Sequence, residues 1–138
     1  MSENGWHETK VRVRYKDTDR MGVVYYGNFL TFFEMARSDT MRDPGYSYAK
    51  LEESGYILPV TEAILKYHGN VGYDALLTVR AKIAELRKVR LRFDYEVLDD
   101  EDRILVEGHT VHACMSKDMK PSRIPGEVRD LIKEKFAV

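Results

Sequence analysis

The chain has 138 residues, of which 43% are hydrophobic and 33% charged, and a formal net charge of -1. That length and balance suit one globular domain over residues 1–138 with a sizeable core; the near-neutral charge gives no support for nucleic-acid binding, which needs a basic excess. No apolar run reaches the ~20 residues of a transmembrane span. Met1 to Gly5 has neither segment of a signal peptide, and the lone Cys114 cannot form an internal disulfide, so a reducing cytoplasm is the expected compartment.

Val11, Val13 and Tyr15 alternate with Lys10, Arg12, Arg14 and Lys16, the period-two pattern of a half-buried strand. A loop broken by Gly22 and Gly27 follows. Asn28 offers an N-cap for a helix to about Asp43, which Pro44-Gly45 ends. Phe29, Phe32, Phe33 and Ala36 share one face of it, with Leu30 and Met35 widening the stripe and Glu34, Ser38 and Arg42 opposite. So broad an apolar stripe predicts a helix enclosed by other elements. Ser47 to Glu53 reads as a short second helix before Gly55. Four strands come next. Ile57 to His68 carries Pro59, which predicts an edge position or a bulge. Leu77 to Ile83 and Val89 to Val97 alternate cleanly. After an acidic hairpin tip at Asp99-Asp100-Glu101-Asp102, Ile104 to Met115 is apolar on both faces in places and is predicted to be central. Lys117 to Pro125 reads as a loop, and Gly126 to Phe136 as a C-terminal surface helix. One long helix with about five antiparallel strands is an α+β layout, in which a sheet curled around the helix buries both.

Asp17 and Asp19 lie on the loop just before that apolar helix. A carboxylate there has two tools, its own negative charge and the unpaired N–H donors of the helix N-terminus. Together they can attack an acyl carbonyl and hold the charge that develops on its oxygen. Asp-x-Asp alone is a weak signal, since Asp100-Glu101-Asp102 repeats it in what reads as a solvated turn. A metal reading lacks a third hard ligand. His109 and His112, three apart on a strand, point to opposite faces and cannot chelate one ion, so no metal is expected. Cys114 reads as a small buried hydrophobe. Glu34 and Arg37 are helix neighbours, either an ion pair or, for Glu34, a second carboxylate facing the cleft. Tyr25 and Tyr26 either line an acyl pocket or simply pack. Arg87, Lys88 and Arg90 form one basic cluster, and Lys117, Lys120 and Arg123 another. Such groups form a solvated rim or hold the phosphates of an extended ligand.

The run from Tyr15 to Phe29, with Phe33-Glu34, Ala36-Arg37 and Arg42, resembles the 4-hydroxybenzoyl-CoA thioesterase-like family. The similarity continues through Asp74 to Lys120-Pro121 and Ile124-Pro125 and is nearest the acyl-CoA thioesterases associated with the bacterial Tol–Pal system. The resemblance implies a hotdog fold, a curved antiparallel sheet wrapped around a long central helix. It also implies homodimers with a continuous sheet, often paired into homotetramers, and active sites at the subunit interface. It assigns catalysis to Asp19, polarisation of the thioester carbonyl to the Tyr26 N–H, and an anion-binding turn to Gly27 and Asn28. Coenzyme A phosphates are held in the family by surface basic residues, for which Arg87, Lys88, Lys120 and Arg123 are the candidates here. No cofactor is expected beyond the coenzyme A of the substrate. Two departures stand out: Tyr26 replaces a histidine common in that branch, and Asn70-Val71-Gly72-Tyr73 lacks the family's proline and arginine. The expected activity is hydrolysis of a small or medium acyl-CoA, aliphatic or aromatic, with Asp19 as nucleophile or general base. A hotdog hydroxyacyl-thioester dehydratase would need a histidine that the helix-entry motif lacks. A non-catalytic acyl-CoA-binding or scaffold protein would keep the pocket without releasing thiol.

Overall fold

The chain runs β1 (His7–Arg12), a 3-10 turn (Tyr15–Asp17), α1 (Asn28–Arg42), α2 (Tyr48–Glu53), β2 (Tyr56–Ile57) and β3 (Val60–Tyr67). It continues as β4 (Leu76–Leu86), β5 (Arg90–Leu98), β6 (Ile104–Ala113), β7 (Met115–Ser116) and α3 (Gly126–Phe136). These elements come from a computed structural model that describes residues 5–42 and 48–138. Five strands form one antiparallel sheet in the order β1-β4-β5-β6-β3, and β2 pairs separately with β7. Among the described residues, no helix is long and apolar enough to cross a membrane.

The period-two pattern decides which side of the sheet carries the helix. Leu77, Val79, Ala81 and Ile83 of β4 and Leu91, Phe93, Tyr95 and Val97 of β5 all turn inward and are buried. Phe29, Phe32, Phe33 and Ala36 of α1 meet them in one core cluster. Each buried phenylalanine contributes about 2–3 kcal/mol relative to exposure. Phe33 lies flat on Tyr95, with ring centroids 4.1 Å apart and planes 4° from parallel. Val128 and Ile132 dock α3 at the margin of the same core.

Several sequence expectations change in detail. β1 ends at Arg12, and Tyr15 is 78% exposed in the 3-10 turn, because the Asp17 carboxylate draws the Arg14 N–H (2.8 Å) into a local turn in place of a ladder. Leu30 and Met35, 42% and 43% exposed, flank the buried face and do not widen it. β6 is interior as expected, flanked by β5 and β3, and β5 holds the middle of the five strands. Pro59 acts in both expected ways, separating β2 from β3 and leaving β3 on the edge with a register shift between Val60 and Glu62. The helix stop at Pro44-Gly45 and the helix start at Ser47 lie outside the described residues.

His112 is wholly buried and both ring nitrogens are engaged. Nδ1 lies 3.0 Å from the Leu58 carbonyl, which can only accept, so Nδ1 carries the proton and Nε2 accepts from Thr110 at 2.7 Å. The Thr110 oxygen in turn accepts from Tyr95 (2.6 Å), and the Tyr95 oxygen accepts from Arg37 of α1 (3.2 Å). This directed chain stitches the helix to the sheet through otherwise costly buried polar groups. Desolvation, opposed by the bond to Leu58, holds the His112 pKa down to about 4 from 6.5. Between those values the unfolded chain binds a proton that the folded chain refuses. Stability from this residue is therefore full above about pH 6.5 and is lost as pH falls toward 4, by about 3 kcal/mol in all. Urea unfolding at pH 7.5 and pH 4.5 should show a drop that is smaller by about that amount in His112→Asn than in the wild type.

Candidate active site

The loop before α1 is a small hairpin. The Thr18–Val24 bridge, the Asp19 N–H to Val23 carbonyl bond (2.9 Å) and the Tyr25 N–H to Asp17 carbonyl bond (2.9 Å) lace 17–19 against 23–25. Gly22, at φ 79°, makes the reversal and donates to the Asp19 carbonyl at 3.0 Å. A second segment clamps the hairpin from beside it. Val24 N–H donates to Val71 (3.0 Å), the Asn70 amide donates to the Val24 carbonyl (2.9 Å), and Gly72 bridges Val23. Asn70 to Gly72, where the family's proline and arginine are missing, thus serves as backbone support.

The two carboxylates have different surroundings. Asp17 is buried, takes the Arg14 N–H, and has the Arg14 guanidinium 3.3 Å from each of its oxygens. Its own carbonyl receives both the Tyr25 N–H and the Asn28 side-chain amide (2.9 Å). Asp19 is half-buried, and the only bond among the described residues to its carboxylate is the Met21 N–H at 2.8 Å. Asp17 builds the loop and Asp19 is presented by it.

At the helix entrance the Asn28 N–H donates to Tyr25 (2.8 Å) and the Leu30 N–H to Gly27 (3.2 Å). Among the described residues the Tyr26 and Gly27 N–H groups have no acceptor, at the positive end of α1. Asn28 begins the helix, but its side chain does not cap it; the amide donates back to Asp17, tying helix to loop. The Tyr25 and Tyr26 rings lie 4.8 Å apart, and both are exposed. The Tyr26 hydroxyl, hydrogen-bonded to the Tyr25 phenol, raises its pKa above the usual value, and the Asp19 charge adds to the rise. Asp19 therefore stands within electrostatic reach of Tyr25. Gly27 lets Tyr25 fold over it, because a Cβ there would sit 3.0 Å from the ring.

Asp19, Tyr25, Tyr26, Gly27 and Asn28 therefore converge. Glu34 does not join them: further along α1, it opens with Arg37, Ser38 and Glu52 onto a cavity of about 420 Å³. The basic candidates divide. Lys88 and Arg123 meet at a cavity of about 520 Å³ where the Ile124 N–H bonds the Lys88 carbonyl (2.9 Å), and Arg129 of α3 joins them. Arg87 pairs with Glu85 and faces a second cavity of about 710 Å³ with Arg90 and Arg92, which Lys88 lines as well. Lys120 lines neither. The place of Arg129 beside Lys88 and Arg123 was not visible in the sequence, because nothing in the C-terminal helix pattern tells which hairpin its first turn meets. Arg14 did carry a signal, three residues before Asp17. Asp17→Ala removes the buried carboxylate that takes the Arg14 N–H and guanidinium and should cost about 1–3 kcal/mol in urea unfolding, whereas Asp19→Ala should shift stability by under about 1 kcal/mol.

The pattern of the thioesterase-like superfamily matches residues 13–132. The chain is 32% identical to the acyl-CoA thioesterase YbgC of Haemophilus influenzae over 132 residues, 94% of this chain and 95% of that protein. With the acyl-CoA thioester hydrolase YbgC of Escherichia coli O157:H7 it shares 29% identity over 119 residues, 86% of this chain and 89% of that one. It superposes on the DHNA-CoA thioesterase of Staphylococcus aureus with a TM-score of 0.90 at 30% identity, covering 96% of this chain and 91% of that one. The chain belongs to the thioesterase-like superfamily and has its hotdog fold, five antiparallel strands around the helix that Asp19 precedes.

Proposed function

We propose that this protein hydrolyses acyl-CoA thioesters carrying a small or medium acyl group, aliphatic or aromatic, to the free acid and coenzyme A. The likeness to the YbgC thioesterases and to the DHNA-CoA thioesterase supports the reaction class. The observation that carries the assignment of the site is a presented carboxylate, Asp19, beside a helix entrance with two N–H donors lacking acceptors among the described residues. A thioester oxygen at Tyr26 and Gly27 would gain both donors and the positive end of α1 as it becomes an oxyanion. Asp19 then either attacks the carbonyl carbon, expelling the thiolate and leaving an anhydride that water cleaves, or takes a proton from an attacking water. Both routes consume one water and yield acid and thiol, with no cofactor beyond the coenzyme A of the substrate. Tyr25 and Tyr26 offer ring faces to the acyl group.

Lys88, Arg123 and Arg129 are assigned to the coenzyme A phosphates. Neither Lys88 nor Arg123 has an ion-pair partner among the described residues, and Arg129 uses one N–H on the Arg87 carbonyl (2.6 Å) and keeps the others. The protein is proposed to act in the cytoplasm as a homodimer or homotetramer. The edge strand β3 supports this, since it leaves Val60 and Ile64 exposed beside unpaired backbone that a second copy would cover. Among the described histidines, His112 is locked in the core, and none lies at the helix entrance, which favours hydrolysis over dehydration.

A thiol-release assay over an acyl-CoA panel tests the site. Asp19→Asn should keep wild-type stability and lose at least about 10²-fold in kcat; near-wild-type turnover would sink the assignment, and a wild type that binds acyl-CoA but releases no thiol would point to the scaffold reading. Replacing Lys88, Arg123 and Arg129 together by Ala should raise KM for acyl-CoA about tenfold, equivalent to ~1.4 kcal/mol. The same acyl group on pantetheine, which lacks the nucleotide, should be unaffected; an equal rise for both would remove these cations from the binding site.

A further inference from the structure

Tyr67 is the last residue of the edge strand β3, 41 positions from Tyr26 in the chain, and the mechanism above gives it no part. Its hydroxyl nevertheless donates to the Tyr26 carbonyl at 3.1 Å. Its ring stands edge-on to Tyr26 (6.2 Å, 84°) and is tilted by 65° against Phe29 at 5.9 Å, so the hydroxyl is aimed by two ring contacts. The Phe29 N–H approaches the same carbonyl only at 3.4 Å, a long bond that orients it weakly. The Tyr26 carbonyl and the Gly27 N–H belong to one trans, planar peptide unit and point in opposite directions. Fixing the oxygen therefore fixes the N–H. A hydrogen bond received at the oxygen also polarises the unit and strengthens the N–H as a donor.

Resting on the thioesterase reading above, we propose that Tyr67 is a positioning residue for the oxyanion site: its hydroxyl locks the Tyr26–Gly27 peptide so that the Gly27 N–H faces the thioester oxygen. The edge strand thereby supports the oxyanion site through the Tyr26 carbonyl. Burial, together with the neighbouring Tyr26, raises the Tyr67 pKa, so the phenol remains a neutral donor at ordinary pH. The requirement is directional. The bond matters only once charge builds on the substrate oxygen, so its loss acts on the chemical step and leaves ground-state binding unchanged.

Tyr67→Phe keeps the ring contacts and removes the donor. It should lower kcat about 3- to 10-fold, as expected for one hydrogen bond, with KM and melting temperature unchanged. In the amide NMR spectrum of the same variant, the Gly27 proton should move upfield, a readout independent of activity. Tyr67→Leu, which also loses the ring, should lose stability as well. Unchanged kcat in Tyr67→Phe, a rise confined to KM, a fall in melting temperature that tracks the fall in kcat, or an unmoved Gly27 resonance would each overturn the proposal. Asp19→Asn in the same assay separates the two ideas. If Asp19→Asn collapses while Tyr67→Phe turns over like wild type, the positioning role fails alone; if Asp19→Asn retains turnover, the site reading fails and takes this role with it.

Discussion

Tyr95, near the middle of the central strand, fixes where α1 lies. Phe33 stacks on its ring, and one turn further along Arg37 donates to its hydroxyl, so a single side chain grips the helix through an apolar face and a polar tip. A helix held at two points a turn apart can neither slide nor roll, and its N-terminus must emerge at one place. The chain of Thr110 and His112 behind the hydroxyl satisfies the buried polar groups that this grip requires. The position of the helix-entrance N–H groups thus follows from packing two turns away.

The helix entrance itself is held from three directions. Asp17 and Arg14 build the hairpin from within, Asn70 to Gly72 brace it from the next loop, and Tyr67 reaches it from the edge of the sheet. Little of this support is apolar. Backbone bonds and short polar side chains set peptide orientation more tightly than a hydrophobic contact would, because they are directional. Such a build suits the proposed site, in which two N–H groups and one carboxylate must be aimed, as electrostatic catalysis requires.

The neighbouring aspartates show how environment divides one residue type into two roles. Asp17, buried against a guanidinium and a backbone donor, is committed to structure, while Asp19, one bond into an exposed turn, keeps an oxygen available. A similar division separates the arginines. Arg87 is paired with Glu85, while Lys88, in the same β4–β5 turn, also lines the cavity that holds Arg123 and Arg129.

The elements and the fold were legible in the sequence, because period-two and period-3.6 patterns record which faces are buried, and the run from Asp17 to Phe29 is specific enough to place Asp19 at a helix entrance. Pro59 marked the edge strand for the same local reason: it cannot donate to a ladder. The limits of the pattern were also physical. Whether Leu30 and Met35 are covered depends on how far the sheet curls, which a local pattern does not encode. The contacts that finish the site, Tyr67 on the Tyr26 carbonyl, Asn70 on Val24 and Arg129 beside Lys88, join segments roughly 40 or more residues apart. By itself the sequence determined the chemistry at hand, a carboxylate before a buried helix. Only the tertiary structure decided how that chemistry is aimed, because direction comes from hydrogen bonds between parts of the chain that meet only when the sheet has closed around the helix.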